Sequence, residues 1–355
     1  MAKCTRVVFV GAEHNPCCLI DDCTVPTIGD GEVLVKVLLA TVCGSDLHTI
    51  SGQRKEATPS VLGHEAVAEI VTINRNASKF SPGDRVTFTV VDFCGECARC
   101  KGGLVQKCTR LFKYGHAQLA DGTGFNGCYA THIVLRPGTH LVKIPDHVTD
   151  RMAAPINCAL ATMVNVMNSI PSIGDNKANH VALIQGAGLL GLYGCALLQD
   201  RGYQKVYCVD INRDRLTLVP LFGGIPNFIS GNELTIDIDP DSVDTVIEVC
   251  GSPNVIQQGI SLLRPGGTYL MVGMVHPNSK LNLTGEQIIR KCLTIKGIHN
   301  YGPADLEQAV EFISRTANKY PFERLVGGEE YSLRDITDAI KEAELRKYLR
   351  VAVKP

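Results

Sequence analysis

A chain of 355 residues with 45% hydrophobic and 20% charged side chains exceeds what one hydrophobic core usually serves. Its composition is globular, which excludes a disordered chain and makes two domains the expectation. A formal net charge of −1 supplies no field toward nucleic acid, and no apolar run is long enough to span a bilayer, so neither is an expected partner.

The N-terminal run Val7–Val10 gives way to Gly11 and Glu13. We expect a first strand there and not a signal peptide. Fifteen cysteines then read as metal ligands or reactive thiols in a cytoplasmic, reducing setting, not as a disulfide framework. The first ~150 residues predict mostly β structure from short apolar runs broken by Gly and Pro. Val33–Leu39, Ala66–Val71 and, after the turn Ser81–Asp84, Arg85–Val90 are the clearest runs.

Cys94, Cys97, Cys100 and Cys108 follow in a C-x2-C-x2-C-x7-C spacing. Four thiolates this close can surround Zn²⁺, and Gly95, Gly102 and Gly103 ease the wrapping. Such a site has no open position, so it reads as structural. An iron–sulfur cluster or four unrelated thiols are the alternatives. A second set is dispersed: Cys43, His64 and Cys158. Two cysteines and a histidine leave a fourth position for water or substrate, the pattern of a catalytic zinc. Each residue also has a plain reading, as a core thiol, a satisfied core histidine and a packing thiol.

From about Asp150 the texture becomes α/β. Val181–Ile184, Val206–Val209, Val243–Ile247 and Tyr269–Val272 are short apolar strands separated by helix-length segments, which implies a parallel sheet. Gly174–Asn179 is a polar stretch expected to be a loop. Gly186-Ala187-Gly188-Leu189-Leu190-Gly191 is a GxGxxG between a strand and a helix candidate. Gly186 permits the turn, Gly188 lets the backbone approach a pyrophosphate, and Gly191 allows close helix–sheet packing. The free N–H groups at the helix start, around Leu189 and Leu190, favour an anion. Asp210 ends the next strand and suits the ribose hydroxyls of NAD; Arg213 or Arg215 could instead hold the 2′-phosphate of NADP. A ligand-free glycine turn is the plain reading.

These motifs together resemble the zinc-containing medium-chain alcohol dehydrogenases over nearly the whole chain. The resemblance rests on Cys43–His48 (CGSDLH), Gly63-His64-Glu65, Pro82–Val86, the four-cysteine lobe, Ala153–Cys158 with Thr162, the GxGxxG and Val209–Arg215. It implies a GroES-like β domain plus a Rossmann doubly wound parallel sheet, with the active site in the cleft. On that pattern residues 1–150 are the catalytic domain with the zinc lobe and 151–295 the NAD-binding domain. Residues 296–355 would complete the Rossmann edge and the catalytic domain. The resemblance further implies two zinc ions per chain, NAD, a small alcohol or carbonyl substrate, and a homodimer or homotetramer.

Family roles carry over to Cys43, His64 and Cys158 as ligands of the catalytic zinc. Glu65 resembles the acid beside the metal that can exchange with the outer ligand, and Asp46 the carboxylate that orients the histidine. Ser45 and His48 resemble a proton relay. Thr162 resembles a contact to the nicotinamide region, Arg350 a C-terminal arginine near the cofactor phosphates, and Arg215 a group near the cofactor. A zinc-free quinone or enoyl reductase of the same superfamily, or a non-catalytic NAD-binding protein, are the competing readings. A narrower resemblance, through Leu111–His116 and Pro59–Glu65, is to alcohol dehydrogenases associated with phosphonate catabolism. In the resembling family the chain leaving the lobe returns along the substrate cleft, so Lys113 and His116 become candidates to meet a substrate group. Two cations there would favour an alcohol carrying a phosphonate or carboxylate. The plainer reading leaves Lys113 solvated and His116 bonded within its loop.

Overall fold

The structure is a computed structural model that describes residues 3–75, 79–171, 180–231, 233–234, 238–275 and 279–355. The expected loop at Gly174–Asn179 lies outside the described residues. The chain divides into two units, one of Met1–Ala161 with Tyr301–Pro355 and one of Thr162–Asn300.

The first unit is built on antiparallel β structure. Its central strand, Val33–Thr41, pairs with Glu65–Ile73 on one side, and its end pairs with Arg350–Val353 on the other. Outer pairings add Arg85–Phe88, Leu141–Lys143 and Val326–Tyr331 to this sheet. Val35, Val37, Ala66, Ala68, Ile70, Val86, Phe88, Val351 and Val353 form one buried cluster across these strands. Helix Ile336–Glu344 adds Ile336, Ala339 and Ile340, an i, i+3, i+4 stripe on its inward face.

Register is what matters for function. Thr41 pairs with Glu65, Ala352 pairs with Thr41, and Val42 N–H donates to Val351 O. The end of one strand and the beginnings of two others therefore meet, and Cys43, Glu65 and Arg350 sit at that junction. The run 85–90 is not a single strand. It stops at Phe88, and Val91–Asp92 pairs instead with Phe112–Lys113. The Thr89 hydroxyl donates to Val91 O across the break.

The segment 150–161 belongs to this first unit, and not with the residues after it as the sequence suggested. Asn157 explains why. Fully buried, it donates to His64 O at 3.0 Å and Phe88 O at 3.1 Å and accepts from Ala66 N–H at 3.4 Å. Tyr301, also buried, donates to Asn157 O and accepts from Val90 N–H, and so ties the returning chain to the same place.

The second unit is a Rossmann sheet. Its parallel strands lie in the order Ile225–Ser230, Lys205–Asp210, Val181–Gln185, Val243–Glu248, Leu263–Met271, Thr294–Gly297. Glu233–Leu234 adds a short antiparallel edge. Of the 296–355 segment, only Lys296 and Gly297 take part in the Rossmann edge; Tyr301 onward belongs to the first unit. Strand order reverses between Val181–Gln185 and Val243–Glu248, the place where such sheets take ligands beyond their carboxyl ends. Among the described residues no helix is long and apolar enough to cross a membrane.

Candidate active site and metal centres

The four-cysteine lobe closes on itself. Its sulfur pairs lie at 3.4 Å (Cys94–Cys108), 3.5 Å (Cys97–Cys100), 4.0 Å (Cys94–Cys100) and 4.0 Å (Cys97–Cys108). A zinc–sulfur bond of about 2.3 Å gives a tetrahedron edge of about 3.8 Å, so the donor set fits Zn²⁺. Backbone N–H groups of Cys94, Cys97 and Arg110 point at the sulfurs. The N–H groups of Thr109 and Cys100 lower the Cys97 thiol to about 5, and burial with its thiol neighbours raises Cys100 to about 12.

The dispersed set also converges. One ligand atom from each of Cys43, His64, Glu65 and Cys158 lies within 4.8 Å of the others. Cys43 precedes the short helix Gly44–Ile50, whose Asp46 carboxylate accepts the Cys43 N–H at 2.9 Å. His64 precedes the strand Glu65–Ile73. Cys158 lies in a π-helical turn, Ile156–Leu160, a distortion found often at functional sites.

Electrostatics make this a site for a cation. The Cys43 thiol is lowered well below its usual range by the hydrogen bond from Cys158, with Arg350 and His64 adding to the effect against burial. Its partner Cys158 moves up, through its hydrogen bond to Cys43 and through burial. Burial opposes the charged His64 ring, but Asp46 and Cys43 raise it to about 10. Asp46 Oδ1 lies 3.4 Å from His64 Nδ1, a close ionic contact without hydrogen-bond alignment. Asp46 Oδ2 is fixed by the Tyr129 hydroxyl at 3.0 Å. A thiolate beside a ring that draws a proton fits Zn²⁺, which replaces the proton's charge.

Glu65 is fully buried and held by three donors: Arg350 Nε at 2.6 Å, Arg350 Nη2 at 2.7 Å and the Thr41 hydroxyl at 2.5 Å. Burial pushes its carboxyl up while Arg350 pulls it down. Arg350 Nη2 also reaches Cys43 Sγ at 3.4 Å, and Nη1 donates to Leu349 O. The sequence expectation put Arg350 near cofactor phosphates; its described contacts instead join Glu65 to Cys43. A buried carboxylate with a thiolate neighbour draws the guanidinium to itself.

Ser45 Oγ lies 3.5 Å from His64 Nε2, at the edge of the metal-binding set, and His48 is one helical turn further along. Lys113 is half-buried, and its ammonium is lowered by burial and Arg54 while Cys158, Glu56 and Cys43 act in the opposite sense. It therefore stands beside the same cluster, where burial and Arg54 disfavour its charged form. His116 is buried, its ring centroid 5.3 Å from that of His64. Gly115 makes this approach possible: at φ +74, any Cβ would sit 2.5 Å from Gly63 O. His116 Nδ1 meets Glu56 Oε1 at 3.1 Å, which Arg54 Nε also meets at 2.5 Å. Burial, Lys113, His64 and Arg54 push the ring well below its usual range. The expected second cation is thus a neutral ring. Sequence reading missed Arg54, Glu56, Tyr129, Asn157 and Tyr301; of these only Asn157 lies in a motif, Ala153–Cys158, where it was given no role.

In the second unit, Gly186 adopts φ +120, and a Cβ on Gly191 would overlap Gly186 O. A Cβ on Gly188 would meet nothing within 4 Å, and no side chain caps the helix Leu189–Asp200 that begins after it. Open space in front of uncapped N–H groups, including those of Leu189 and Leu190, fits a dinucleotide phosphate. Asp210 accepts from Ala187 N–H at 2.7 Å and Asn212 N–H at 2.8 Å, which fixes its carboxylate beside the loop. Arg213 stacks on Phe228, 3.7 Å from the ring centroid. Arg215 Nε is buried and, among the described residues, without a hydrogen-bond partner. Thr162 is buried in this unit.

Two family models match the chain. The alcohol dehydrogenase GroES-like domain matches residues 29–146 and the zinc-binding dehydrogenase model matches residues 190–315. The chain belongs to the zinc-containing medium-chain alcohol dehydrogenases. Within that family it is 29% identical over 289 residues to an L-threonine 3-dehydrogenase of Proteus mirabilis, covering 78% of this chain and 80% of the relative. A solved alcohol dehydrogenase from Thermotoga maritima superposes with a TM-score of 0.90 at 26% identity, covering all of both chains. An alcohol dehydrogenase of E. coli solved with NADH superposes at 0.82 with 23% identity, again over all of both chains. The chain is accordingly an NAD-dependent zinc oxidoreductase acting on hydroxy compounds, and the zinc-free and non-catalytic readings are not favoured.

Proposed function

We propose that Cys43, His64 and Cys158 hold the catalytic zinc, that Cys94, Cys97, Cys100 and Cys108 hold a structural one, and that the enzyme oxidises a small, anion-bearing alcohol. The observation that carries this is the convergence of Cys43, His64, Glu65 and Cys158 within 4.8 Å beside Ser45. Zinc there supplies Lewis acidity that lowers the hydroxyl pKa of a bound alcohol. NAD supplies the hydride acceptor, so the alcohol gives up one hydride and one proton.

The chain's residues handle the proton and the geometry. Ser45 Oγ takes the hydroxyl proton, and His48 passes it toward solvent. Asp46, fixed by Tyr129 and the Cys43 N–H, keeps the His64 ring oriented. Arg350 holds the Glu65 carboxyl beside the thiolates through two hydrogen bonds and opposes the upward push of burial. Gly186, Gly188 and Gly191, with the N–H groups of Leu189 and Leu190, cradle the pyrophosphate, and Asp210 accepts from the ribose. Arg215 and Thr162 are further contacts to the cofactor.

Lys113 supports a substrate with an anionic group, a carboxylate or phosphonate. The name of the Proteus mirabilis relative points the same way, since L-threonine is a hydroxy acid. A cytoplasmic setting suits thiols that are all unpaired, and a homodimer or homotetramer is the assembly we expect. A screen of neutral and anionic alcohols with zinc-loaded protein, following NADH absorbance, tests the reading. Faster turnover of anionic alcohols, with a raised KM on Lys113→Ala, is expected. Equal turnover of neutral and anionic analogues removes the anion preference.

A further inference from the structure

The Arg54–Glu56–His116 group is used by none of the steps above. It is ordered as a functional histidine is ordered. Glu56 Oε1 receives both His116 Nδ1 at 3.1 Å and Arg54 Nε at 2.5 Å. A carboxylate opposite Nδ1 fixes the proton on that nitrogen, so Nε2 presents a lone pair. Nε2 is buried and, among the described residues, has no hydrogen-bond partner. Leaving such an atom unpaired is costly, so native proteins normally supply a partner. The ring lies 5.3 Å from that of His64, and Lys113 stands nearby.

The missing partner is therefore a donor in the neighbourhood of His64. Water could serve while the site is free. A carbonyl, ether or anion could not, because it offers no proton. The positive groups Arg54 and Lys113 around the ring disfavour an ammonium donor and favour a hydroxyl.

Resting on the proposed function, we propose that His116, positioned by Glu56, accepts a hydrogen bond from a second hydroxyl on the carbon next to the carbinol. The enzyme then selects vicinal diols over simple secondary alcohols. Sites built to bond a substrate hydroxyl reject analogues that lack it, because a buried group is left unpaired.

The test compares propane-1,2-diol with 1-methoxypropan-2-ol and butan-2-ol on the zinc-loaded enzyme with NAD. The diol should show a kcat/KM at least about 10-fold higher than either analogue, mostly through KM. The methoxy compound matters most, since it keeps the oxygen and loses only the proton. His116→Phe keeps a ring and removes the acceptor. It should bring the diol down to the level of the analogues while leaving two zinc ions bound and butan-2-ol turnover within about 3-fold. Glu56→Gln should raise the diol KM with kcat retained. A purely structural histidine would instead lower all three substrates together.

A second readout does not depend on turnover. In the complex of enzyme, zinc and NADH, where no alcohol can be oxidised, nitrogen NMR should find His116 protonated on Nδ1. Propane-1,2-diol should move its Nε2 resonance, and 1-methoxypropan-2-ol should not. Equal kinetics for the diol and the methoxy compound, or an Nε2 resonance indifferent to the diol, overturns the inference while leaving the dehydrogenase reading intact. Absence of turnover with every alcohol, anion-bearing ones included, would fault that reading instead, and the NMR result would still decide the role of His116.

Discussion

Arg350→Met isolates the buried ion pair at the strand junction. Wild-type Arg350 gives Glu65 two charge-assisted hydrogen bonds at 2.6 and 2.7 Å and stands 3.4 Å from the Cys43 sulfur. Glu65 is completely buried and Arg350 is 8% exposed. Removing the arginine leaves a carboxylate whose remaining hydrogen-bond partner among the described residues is the Thr41 hydroxyl. Breaking a buried pair from one side costs about 3–5 kcal/mol, whereas removing both sides is often close to neutral. Glu65→Met with Arg350→Met should therefore recover most of the loss, to within about 1–2 kcal/mol, the remainder reflecting the unpaired Thr41 hydroxyl.

The effect carries a pH signature. Without Arg350, burial and the Cys43 thiolate push the Glu65 carboxyl further up. A carboxyl whose folded pKa lies above its unfolded value, ordinarily about 4.3, binds more protons when folded. Stability then falls as pH rises from the unfolded pKa toward the folded one. The deficit of Arg350→Met should be smallest near about pH 5 and grow toward about pH 8. Urea unfolding of single and double variants, followed by circular dichroism at several pH values and fixed zinc, measures it. An Arg350→Met protein as stable as wild type at neutral pH, or a deficit that does not shrink in acid, refutes the reasoning.

Cys97→Ser should lose one zinc and destabilise the fold, because binding energy at a closed site is folding energy; Cys43→Ser should abolish turnover with much less unfolding. Metal analysis and thermal melts separate the two. Asp210→Gly should narrow the preference for NAD over NADP in initial-rate assays, and faster wild-type turnover with NADP would move the determinant to Arg215. Ser45→Ala should slow turnover by about 10²–10⁴-fold with zinc and NAD binding retained, and an unimpaired variant removes Ser45 from the proton path.

The parts of this molecule that are local in sequence could be read from it. Four cysteines within fifteen residues and a GxGxxG followed by Asp210 carry their own spacing, and the structure gathers each into one place. Cys43, His64 and Cys158 were individually ambiguous, and only the motif context joined them. What could not be read depends on strand pairing between distant segments. Arg350 meets Glu65 because Arg350–Val353 pairs beside Val33–Thr41, which no local pattern around Arg350 announces. Asn157 has the same character: a polar residue in a small-residue segment looks like a loop until its three buried partners are known. That contact also moved the unit boundary past residue 150. His116 was read as a cation because sequence shows a side chain's type and not its burial or its neighbours.

The central claim is that zinc held by Cys43, His64 and Cys158 makes this chain an alcohol-oxidising, NAD-reducing enzyme. The most direct test is the rate of alcohol-dependent NADH formation as chelator-treated protein is titrated with zinc. The account predicts no activity without zinc, recovery that saturates at two zinc ions per chain, and no recovery in Cys43→Ser. Full activity in zinc-free protein, or saturation of both sites with no alcohol-dependent NADH formed, would contradict it.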